Sequence, residues 1–267
     1  MSPDTVASEG SALGPVELVL VRHGESLGNV ADRAAIAAKA HRLDLSASDE
    51  RIELSDEGQA QADALGEHVA SLPDDQRPTV VVSSPYRRAR STAERVLAQH
   101  PVDVLLDERL RERELGIFDG ITWYGIKADH PGESDRRDRV GKFYYRPPGG
   151  ESWADVVLRI RSLLVELQAR YAGERVWLFS HEAVILAFRY VLEGLDAARV
   201  VALQKEEPLA NCSLTRYVLT DGALTLAARD DTSAVEAGGA EVTHEPGAAR
   251  DPDADTTSDT GDTRESR

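Results

Sequence analysis

Three short polar stretches of the sequence carry side chains that could bind and attack an anion. Residues 22–26 read Arg-His-Gly-Glu-Ser, residues 83–88 read Ser-Ser-Pro-Tyr-Arg-Arg, and residues 180–182 read Ser-His-Glu. Each stretch follows an apolar run. Together they supply two imidazoles, several guanidiniums and short hydroxyl groups. These groups suit a tetrahedral dianion such as a phosphoryl group, because Arg binds it through paired charge-assisted hydrogen bonds.

Each stretch has an ordinary explanation when it is taken alone. A histidine at a strand end is often a satisfied structural residue, and Arg87 and Arg88 could be the solvated start of a helix. The three stretches nevertheless occupy the same position relative to a predicted strand. In an open parallel sheet, ligands bind outside the carboxyl ends of the strands. We therefore expect the three stretches to line one anion pocket.

Strand and helix patterns alternate along the chain and indicate how these stretches are positioned. Short apolar runs predict strands at residues 17–21, 79–83, 102–106 and 175–179, with a closing strand pair at 213–219 and 223–228. Apolar residues at helical spacing predict helices at residues 56–72, 86–100, 152–171 and 182–195. This alternation predicts an α/β fold, a three-layer α/β/α sandwich whose mostly parallel sheet has helices on both faces.

The chain divides by composition into one domain and two flanking segments. We expect a flexible N-terminus at residues 1–15, a domain at 16–229 and a disordered acidic tail at 230–267, where large apolar residues nearly vanish. The tail is either an inert extension or an interaction segment. Residues 111–150 fit neither period and are rich in Gly and Pro, so they predict a long insertion over the sheet edge, a kind of loop that often shapes a substrate site.

Composition narrows the class of partner. The 267 residues carry a formal net charge of −16, which disfavours nucleic acid and anionic membranes and favours a small-molecule partner. Residues 1–14 lack a signal-peptide pattern and no long apolar run follows, so we expect a cytoplasmic protein. Cys212 is the only cysteine, which excludes an intrachain disulfide and a cysteine-based metal site. Whether the protein is a monomer or a homodimer stays open.

Five short motifs follow one another in a specific order. They are Arg22-His23-Gly24-Glu25-Ser26 with Asn29, LSDEGQA at residues 54–60, SSPYRRA at 83–89 with Thr92-Ala93, Glu112 before Leu115-Gly116, and Ser180-His181. The ordered set spans residues 16–220 and resembles the histidine phosphatase superfamily, which is phosphoglycerate mutase-like in fold. The set is highly specific, whereas any single motif is not.

The resemblance implies a role for each main residue of the set. His23 is implied to be the nucleophile that becomes phosphohistidine. Arg22, Arg88 and His181 are implied to grip the phosphoryl oxygens, with His181 as a cation. Glu112 is implied to be the proton donor. No cofactor and no metal is implied, since enough fixed cations can stabilise the charge of phosphoryl transfer.

Neighbouring residues extend the predicted site. Asn29 matches a further phosphate contact of the family, and Ser26 lies in the same motif. Glu114 is a rival proton donor. Glu182 departs from the family pattern, because many members carry Gly there. Its carboxylate either points inward, where it would repel charged substrates or hold His181 protonated, or caps the following helix through the helix dipole.

A second, local resemblance concerns the organic part of a substrate. Residues 142–152 are similar to the segment before the long helix in the phosphatase half of the bifunctional fructose-2,6-bisphosphate enzymes. The similarity implies that Tyr145, Arg146 and Lys142 bind the rest of a phosphorylated sugar. The alternative is that the aromatic residues only pack the insertion onto the sheet.

Three functions are compatible with these residues. The first is a metal-independent phosphatase, in which water takes the phosphoryl group of a small metabolite from His23. The second is a phosphoglycerate-type mutase, in which a second hydroxyl of the substrate takes it. The third is a non-catalytic module that binds a phospho-ligand. We favour the phosphatase, because of the sugar-bisphosphatase-like segment and because Gly28 replaces the aromatic residue that usually precedes Asn29.

Overall fold

The computed structural model describes residues 14–100 and 102–245. Their strands are β1 (Glu17–Arg22), β2 (Val80–Ser83), β3 (Val104–Leu106), β4 (Arg175–Ser180), β5 (Leu214–Thr220) and β6 (Ala223–Asp231). Their α-helices are α1 (Leu27–Ala37), α2 (Asp56–Ser71), α3 (Arg87–Val96), α4 (Trp123–Asp129), α5 (Pro131–Val140), α6 (Trp153–Arg170), α7 (Glu182–Leu192), α8 (Ala197–Glu206) and α9 (Ser233–Ala237).

The strands form one mixed sheet in the order β3-β2-β4-β1-β5-β6. The pairs β1–β4, β2–β4 and β2–β3 are parallel, whereas β5 pairs antiparallel with both β1 and β6. The carboxyl ends of β1, β2 and β4 therefore meet at one edge of the sheet. The predicted α/β fold with a mostly parallel sheet is confirmed.

Alternate residues of the central strands pack into two separate cores. Leu18 and Leu20 of β1 belong to the cluster with α6 and α7, whereas Val19 and Val21 belong to the cluster with α2 and α3. This is the period-two alternation of a strand with both faces covered. Fully burying one such side chain contributes about 1.5–3 kcal/mol, so each face of β1 fixes a layer of helices on its side of the sheet.

Hydroxyl caps set the starts of the helices that surround the site. Ser55 caps α2 and accepts a hydrogen bond from Gly58 N at 3.0 Å. Ser26 begins α1, where its Oγ accepts from Asn29 N at 3.2 Å. Sequence patterning predicted α2 but missed α1 and α8. The Ser-x-x-Asn spacing at residues 26–29 was the signal for α1.

The structure corrects the predicted start of the disordered tail. Strand β6 continues to Asp231, and α9 then packs on α2 with Ala234 and Val235 buried. Gly238 lies so close to α2 that an added Cβ would approach Ala64 Cβ to 2.3 Å. The ordered chain therefore includes residues 230–245, because a few small apolar side chains pack on the core and hydrogen bonds from Gln61 and Asn211 hold the segment. Residues 1–13 and 246–267 lie outside the described residues.

The predicted insertion is partly helical rather than one long loop. It contains α4 and α5, and its ends close on each other through Ile117 N to Pro148 O at 3.0 Å and Glu151 N to Glu114 O at 2.9 Å. Gly116 adopts φ +57°, and a Cβ there would lie 2.2 Å from the Pro148 oxygen. None of the helices in the described ranges is both long and apolar enough to cross a membrane.

Candidate active site

The backbone ladder of the sheet places the three polar stretches side by side. Arg22 is the register partner of Ser180, and His23 N donates to Ser180 O at 3.0 Å just past the end of β1. Ser84 N likewise donates to Phe179 O at 2.9 Å. The ladder thus continues one residue beyond the strands on both sides of β4. It brings His23 and Ser84 next to His181.

His23 and His181 share one buried site. Their ring centroids lie 5.1 Å apart with an interplanar angle of 61°, so the predicted juxtaposition of the two imidazoles is confirmed. Nδ1 of His23 lies 2.7 Å from Gly24 O. A carbonyl can only accept, so Nδ1 carries the proton and Nε2 keeps its lone pair. Burial, Arg88 and Arg22 lower the pKa of His23 well below its usual value, and the ring is neutral near pH 7.

His181 is held from the neighbouring strand end. Its Nε2 lies 2.9 Å from Ser84 Oγ, and its Nδ1 is buried with no hydrogen-bond partner among the described residues. Burial, followed by Arg88 and His23, lowers the pKa of His181 well below its usual value. The protein's own groups therefore favour a neutral His181. The expectation of a cationic ring finds no support in them.

Arg88 reaches the site from the start of α3 and is 5% exposed. Its NH1 donates to Asp49 Oδ1 at 2.9 Å and to Asp49 O at 2.7 Å, and its NH2 donates to Oδ2 at 3.3 Å. Asp49 begins a 3₁₀ turn at Asp49–Arg51. A carboxylate from a segment without any recognised motif thus holds one of the predicted phosphate-binding guanidiniums.

Arg22 lies at the end of β1 and is 1% exposed. Its NH1 donates to Leu209 O, and its NH2 pairs with Glu245 Oε1 at 3.2 Å. The same Glu245 oxygen accepts from Asn29 Nδ2 at 2.7 Å. The Oδ1 atom of Asn29 accepts in turn from Ser26 N at 2.9 Å. A second carboxylate from outside the motifs therefore contacts two of the predicted phosphate ligands.

Glu112 and Glu114 differ in what surrounds their carboxylates. Glu112 is only partly exposed, and its Oε1 accepts from Arg113 N at 2.7 Å. Removal from water outweighs this bond and the nearby Arg88, and it raises the pKa of Glu112 to about 7. Glu114 is exposed and accepts from Tyr86 Oη at 2.7 Å. A carboxyl with a pKa of about 7, as in Glu112, suits a proton donor near neutral pH.

Hydrogen bonds and an ion pair of the part-buried Arg159 hold the backbone that carries Glu112. Arg159 of α6 donates through NH1 to Arg109 O at 2.5 Å and through NH2 to Glu112 O at 3.3 Å. Its Nε pairs with Glu151 Oε1 at 3.1 Å, and Glu151 Oε2 accepts from Glu114 N at 3.2 Å. These contacts fix residues 109–114 against α6.

A cavity of about 540 Å³ opens above His23. Its walls come from α1, from residues 42–52 and from the insertion, and they mix apolar and charged side chains. Ser26, Asn29, Arg88, Glu112, Lys142, Tyr145 and Glu182 all line it. Tyr145 packs there, and its Oη donates to Glu133 at 2.8 Å.

Arg146 lies outside the cavity wall, although the similarity of residues 142–152 to the sugar-bisphosphatase segment implied that it binds the sugar. Its side chain is 62% exposed and pairs with Asp155 in the first turn of α6, with Nε 2.8 Å from Oδ2. The cavity wall includes Tyr145 and Pro147 but not Arg146. Arg146 turns away from the cavity because Asp155, in the first turn of α6, offers it a carboxylate.

Glu182 lines the cavity and also accepts hydrogen bonds from two residues in and after α8. It is the first residue of α7 and is 4% exposed. Its Oε1 accepts from Leu209 N at 3.2 Å and its Oε2 lies 3.5 Å from Gln204 Nε2. The carboxylate therefore ties α7 to the segment after α8. Leu209 is also the residue whose carbonyl accepts from Arg22.

Gly24 and Gly58 are required by a close packing contact. A Cβ on Gly24 would lie 2.4 Å from Gly58 O, and a Cβ on Gly58 would lie 1.9 Å from Glu25 O. The start of α2 therefore packs directly on the loop after β1. The contact that excludes a side chain at position 24 therefore comes from α2.

Comparison with known proteins identifies the family of the chain. The model of the histidine phosphatase superfamily (branch 1) matches residues 18–232. A glucosyl-3-phosphoglycerate phosphatase of Mycobacterium tuberculosis is 36% identical over 196 residues, which are 73% of this chain and 77% of that protein. The fructose-2,6-bisphosphatase of Saccharomyces cerevisiae is 30% identical over 171 residues, 64% of this chain and 33% of that protein.

Solved structures give the same result. A mycobacterial glucosyl-3-phosphoglycerate phosphatase superposes with a TM-score of 0.64 at 31% identity, over 80% of this chain and 98% of that one. Its complex with inorganic phosphate superposes with a TM-score of 0.63 at 30% identity, over 82% and 98%. The fold is thus of the phosphoglycerate mutase-like class. The chain belongs to branch 1 of the histidine phosphatase superfamily and is a phosphatase of that family.

Within residues 14–100 and 102–245, no group of three or more His, Cys, Asp or Glu side chains is arranged to hold a metal ion. Cys212 is buried, and burial raises the pKa of its thiol well above the usual range. This thiol is therefore a packed side chain rather than a nucleophile.

Proposed function

We propose that the protein hydrolyses a small phosphorylated metabolite through a phosphohistidine at His23. The observation that carries this proposal is the hydrogen bond from His23 Nδ1 to Gly24 O at 2.7 Å. It leaves Nε2 as a neutral nucleophile beside a second imidazole. In-line attack of that nitrogen on phosphorus forms the N–P bond as the ester O–P bond breaks, which divides hydrolysis into two easier displacements.

Arg22, Arg88 and His181 are the groups we assign to the phosphoryl oxygens. Phosphoryl transfer spreads charge over the equatorial oxygens, and fixed cations aimed there provide most of the stabilisation. The two guanidiniums keep their charge at any working pH. A bound dianion would favour the protonated form of His181 and oppose the effect of burial on its pKa. Asn29 and Ser26 would add neutral contacts.

Glu112 is the residue we assign to the leaving group. An alkoxide needs a proton as it departs, and a carboxyl with a pKa of about 7 can hold one at neutral pH. After the alcohol leaves, the same carboxylate can take a proton from the water that attacks phosphohistidine. One residue then serves both half-reactions. Glu114, which is exposed and bonded to Tyr86, is the less suited candidate.

The cavity supports a substrate with a sizeable organic part. Its volume of about 540 Å³ greatly exceeds that of a phosphoryl group, and Lys142, Arg137 and Tyr145 lie in its wall. The similarity to phosphatases named for glucosyl-3-phosphoglycerate and to fructose-2,6-bisphosphatase points to sugar-containing phosphate esters. We propose glucosyl-3-phosphoglycerate or a related sugar phosphate as the first candidate.

Phosphate release across a panel of esters tests the proposal. The panel contains glucosyl-3-phosphoglycerate, fructose 2,6-bisphosphate, 3-phosphoglycerate, a nucleotide and a phosphopeptide, each with and without a chelator. We expect the sugar-containing esters to have the highest kcat/KM, with no loss on chelation, and an acid-labile phosphoenzyme on rapid quenching. Transfer to a second substrate hydroxyl without phosphate release would identify a mutase instead. Phosphate binding without either reaction would identify a binding module.

A further inference from the structure

Residues 241–245, which we call the strap, run from α9 back to the anion site. The backbone of Asn211 donates to Thr243 O at 2.9 Å. Gln61 Nε2 donates to Glu241 O at 2.7 Å and to Thr243 Oγ1 at 2.8 Å. Hydrogen bonds with the Gln61 side chain and with the backbone of Asn211 thus hold the strap on the domain.

Two of the residues that hold the strap, Gln61 and Asn211, also hold the loop after β1. Gln61 and Asn211 are both fully buried. Gln61 Oε1 accepts from Glu25 N at 2.9 Å, and Asn211 Nδ2 donates to His23 O at 3.1 Å. The strap and the proposed nucleophile therefore share their anchors. These shared anchors keep the end of the strap, Glu245, near the loop that carries His23.

The last described residue of the strap, Glu245, places its carboxylate on two residues that are proposed to bind phosphate. Glu245 Oε1 lies 2.7 Å from Asn29 Nδ2 and 3.2 Å from Arg22 NH2. Arg22 is 1% exposed, and the Glu245 side chain 18%. A carboxylate accepts the same charge-assisted hydrogen bonds as a phosphoryl oxygen. The charge of Glu245 also acts on both proposed catalytic groups: it opposes part of the lowering of the His23 pKa and adds to the raising of the Glu112 pKa.

We propose that Glu245 is an internal competitor for the anion site, a carboxylate that a phosphoryl group must displace from Arg22 and Asn29. The proposal rests on the proposed function, which assigns these two residues to phosphate. Two anions placed on the same donors repel each other, so only one can occupy them. The competition raises the apparent Kd and KM by the reciprocal of the fraction of time that the donors are open. It leaves kcat unchanged once the strap is displaced.

Titration with inorganic phosphate, followed by calorimetry, tests this competition without any turnover. Glu245→Gln keeps the size of the side chain and removes its charge. Glu241→Gln is the matched control, because it removes the same charge from an exposed side chain of the strap. We expect Glu245→Gln to bind phosphate about 3- to 10-fold more tightly and to lower KM by the same factor. Glu241→Gln should stay within about twofold of the native protein.

Hydrogen exchange gives a second measurement on the native chain. Saturating phosphate should accelerate exchange of peptides that cover residues 241–245. An unchanged or weaker phosphate affinity in Glu245→Gln would overturn the proposal, and so would equal gains in both variants or unchanged exchange of the strap. If phosphate binds all three proteins alike, only the competition fails. If none of them binds phosphate, the proposed function fails with it.

Discussion

The residues at the strand ends and the residues around them are held by different kinds of contact. His23, Ser84 and His181, the floor of the site, follow directly from the sheet ladder and are at most 3% exposed. Glu112, Asp49 and Glu245, the rim, reach the site on loops and on the strap, and side-chain hydrogen bonds hold them. The floor is held by the backbone of the buried sheet. The rim is held by a few side-chain hydrogen bonds and ion pairs.

This difference separates two kinds of task. Phosphoryl transfer requires its nucleophile and cations to stay in one geometry, which a buried ladder provides. Proton delivery, substrate choice and competition by a carboxylate require groups whose position or charge can change. We therefore expect substitutions on the floor to abolish turnover and substitutions on the rim to alter pH dependence, KM or leaving-group preference.

The largest effect is expected from His23→Ala. Removing the proposed nucleophile should lower kcat by at least about 10⁴-fold, because alanine has no nitrogen that could attack phosphorus. Binding of inorganic phosphate should persist, since the guanidiniums remain. Steady-state kinetics and calorimetry measure the two quantities. His100→Ala is the control, because His100 contacts Pro78 O at 2.9 Å outside the site and should keep full activity.

The second effect concerns Glu112→Gln. This substitution should lower kcat by about 10²- to 10⁴-fold for alkyl esters and by far less for aryl esters, whose leaving groups need no proton. The carboxyl is protonated below its pKa of about 7 and loses its proton above it. Native kcat for alkyl esters should therefore fall as pH rises through 7, and Glu112→Gln should lack this limb. Equal losses for both ester classes, or a larger loss in Glu114→Gln, would contradict the assignment.

Arg159→Met tests whether the contacts of Arg159 hold the proposed proton donor, Glu112, in position. Loss of the contacts to the backbone of residues 109 and 112 should displace Glu112 and cost about 10- to 100-fold in kcat for alkyl esters. A positioning role predicts a smaller loss for aryl esters and a shifted basic limb. Arg161→Met, an exposed neighbour on α6, is the matched control. Equal losses for alkyl and aryl esters, with only a lower Tm, would leave Arg159 a purely structural residue.

The smallest effect is expected from Arg146→Ala. Its solvent-exposed pair with Asp155 contributes little to stability, and its side chain is absent from the cavity wall. We expect kcat/KM for sugar phosphates within about twofold of the native value. Lys142→Ala, which removes a wall residue, should raise KM more. A large KM increase for Arg146→Ala alone would restore the sugar-binding role implied by the sequence.

Local patterns were enough to predict the floor. Apolar runs ended by polar residues located β1, β2 and β4, and the rule that ligands bind at carboxyl ends of parallel strands placed His23, Arg88 and His181 together. The prediction succeeds because the residue that follows a strand is placed by that strand, and the strand can be located from consecutive residues. The family motifs agree with the same positions.

The amino-acid sequence by itself thus determined the α/β class, the family and the set of motif residues, because each depends on short-range pattern. Only the tertiary structure decided that Asp49 and Glu245 reach the guanidiniums, that Arg146 turns to Asp155, and that residues 230–245 are ordered. These contacts join positions that are far apart in the chain. Their partners are chosen by packing and charge in three dimensions, for which a local sequence window holds no signal.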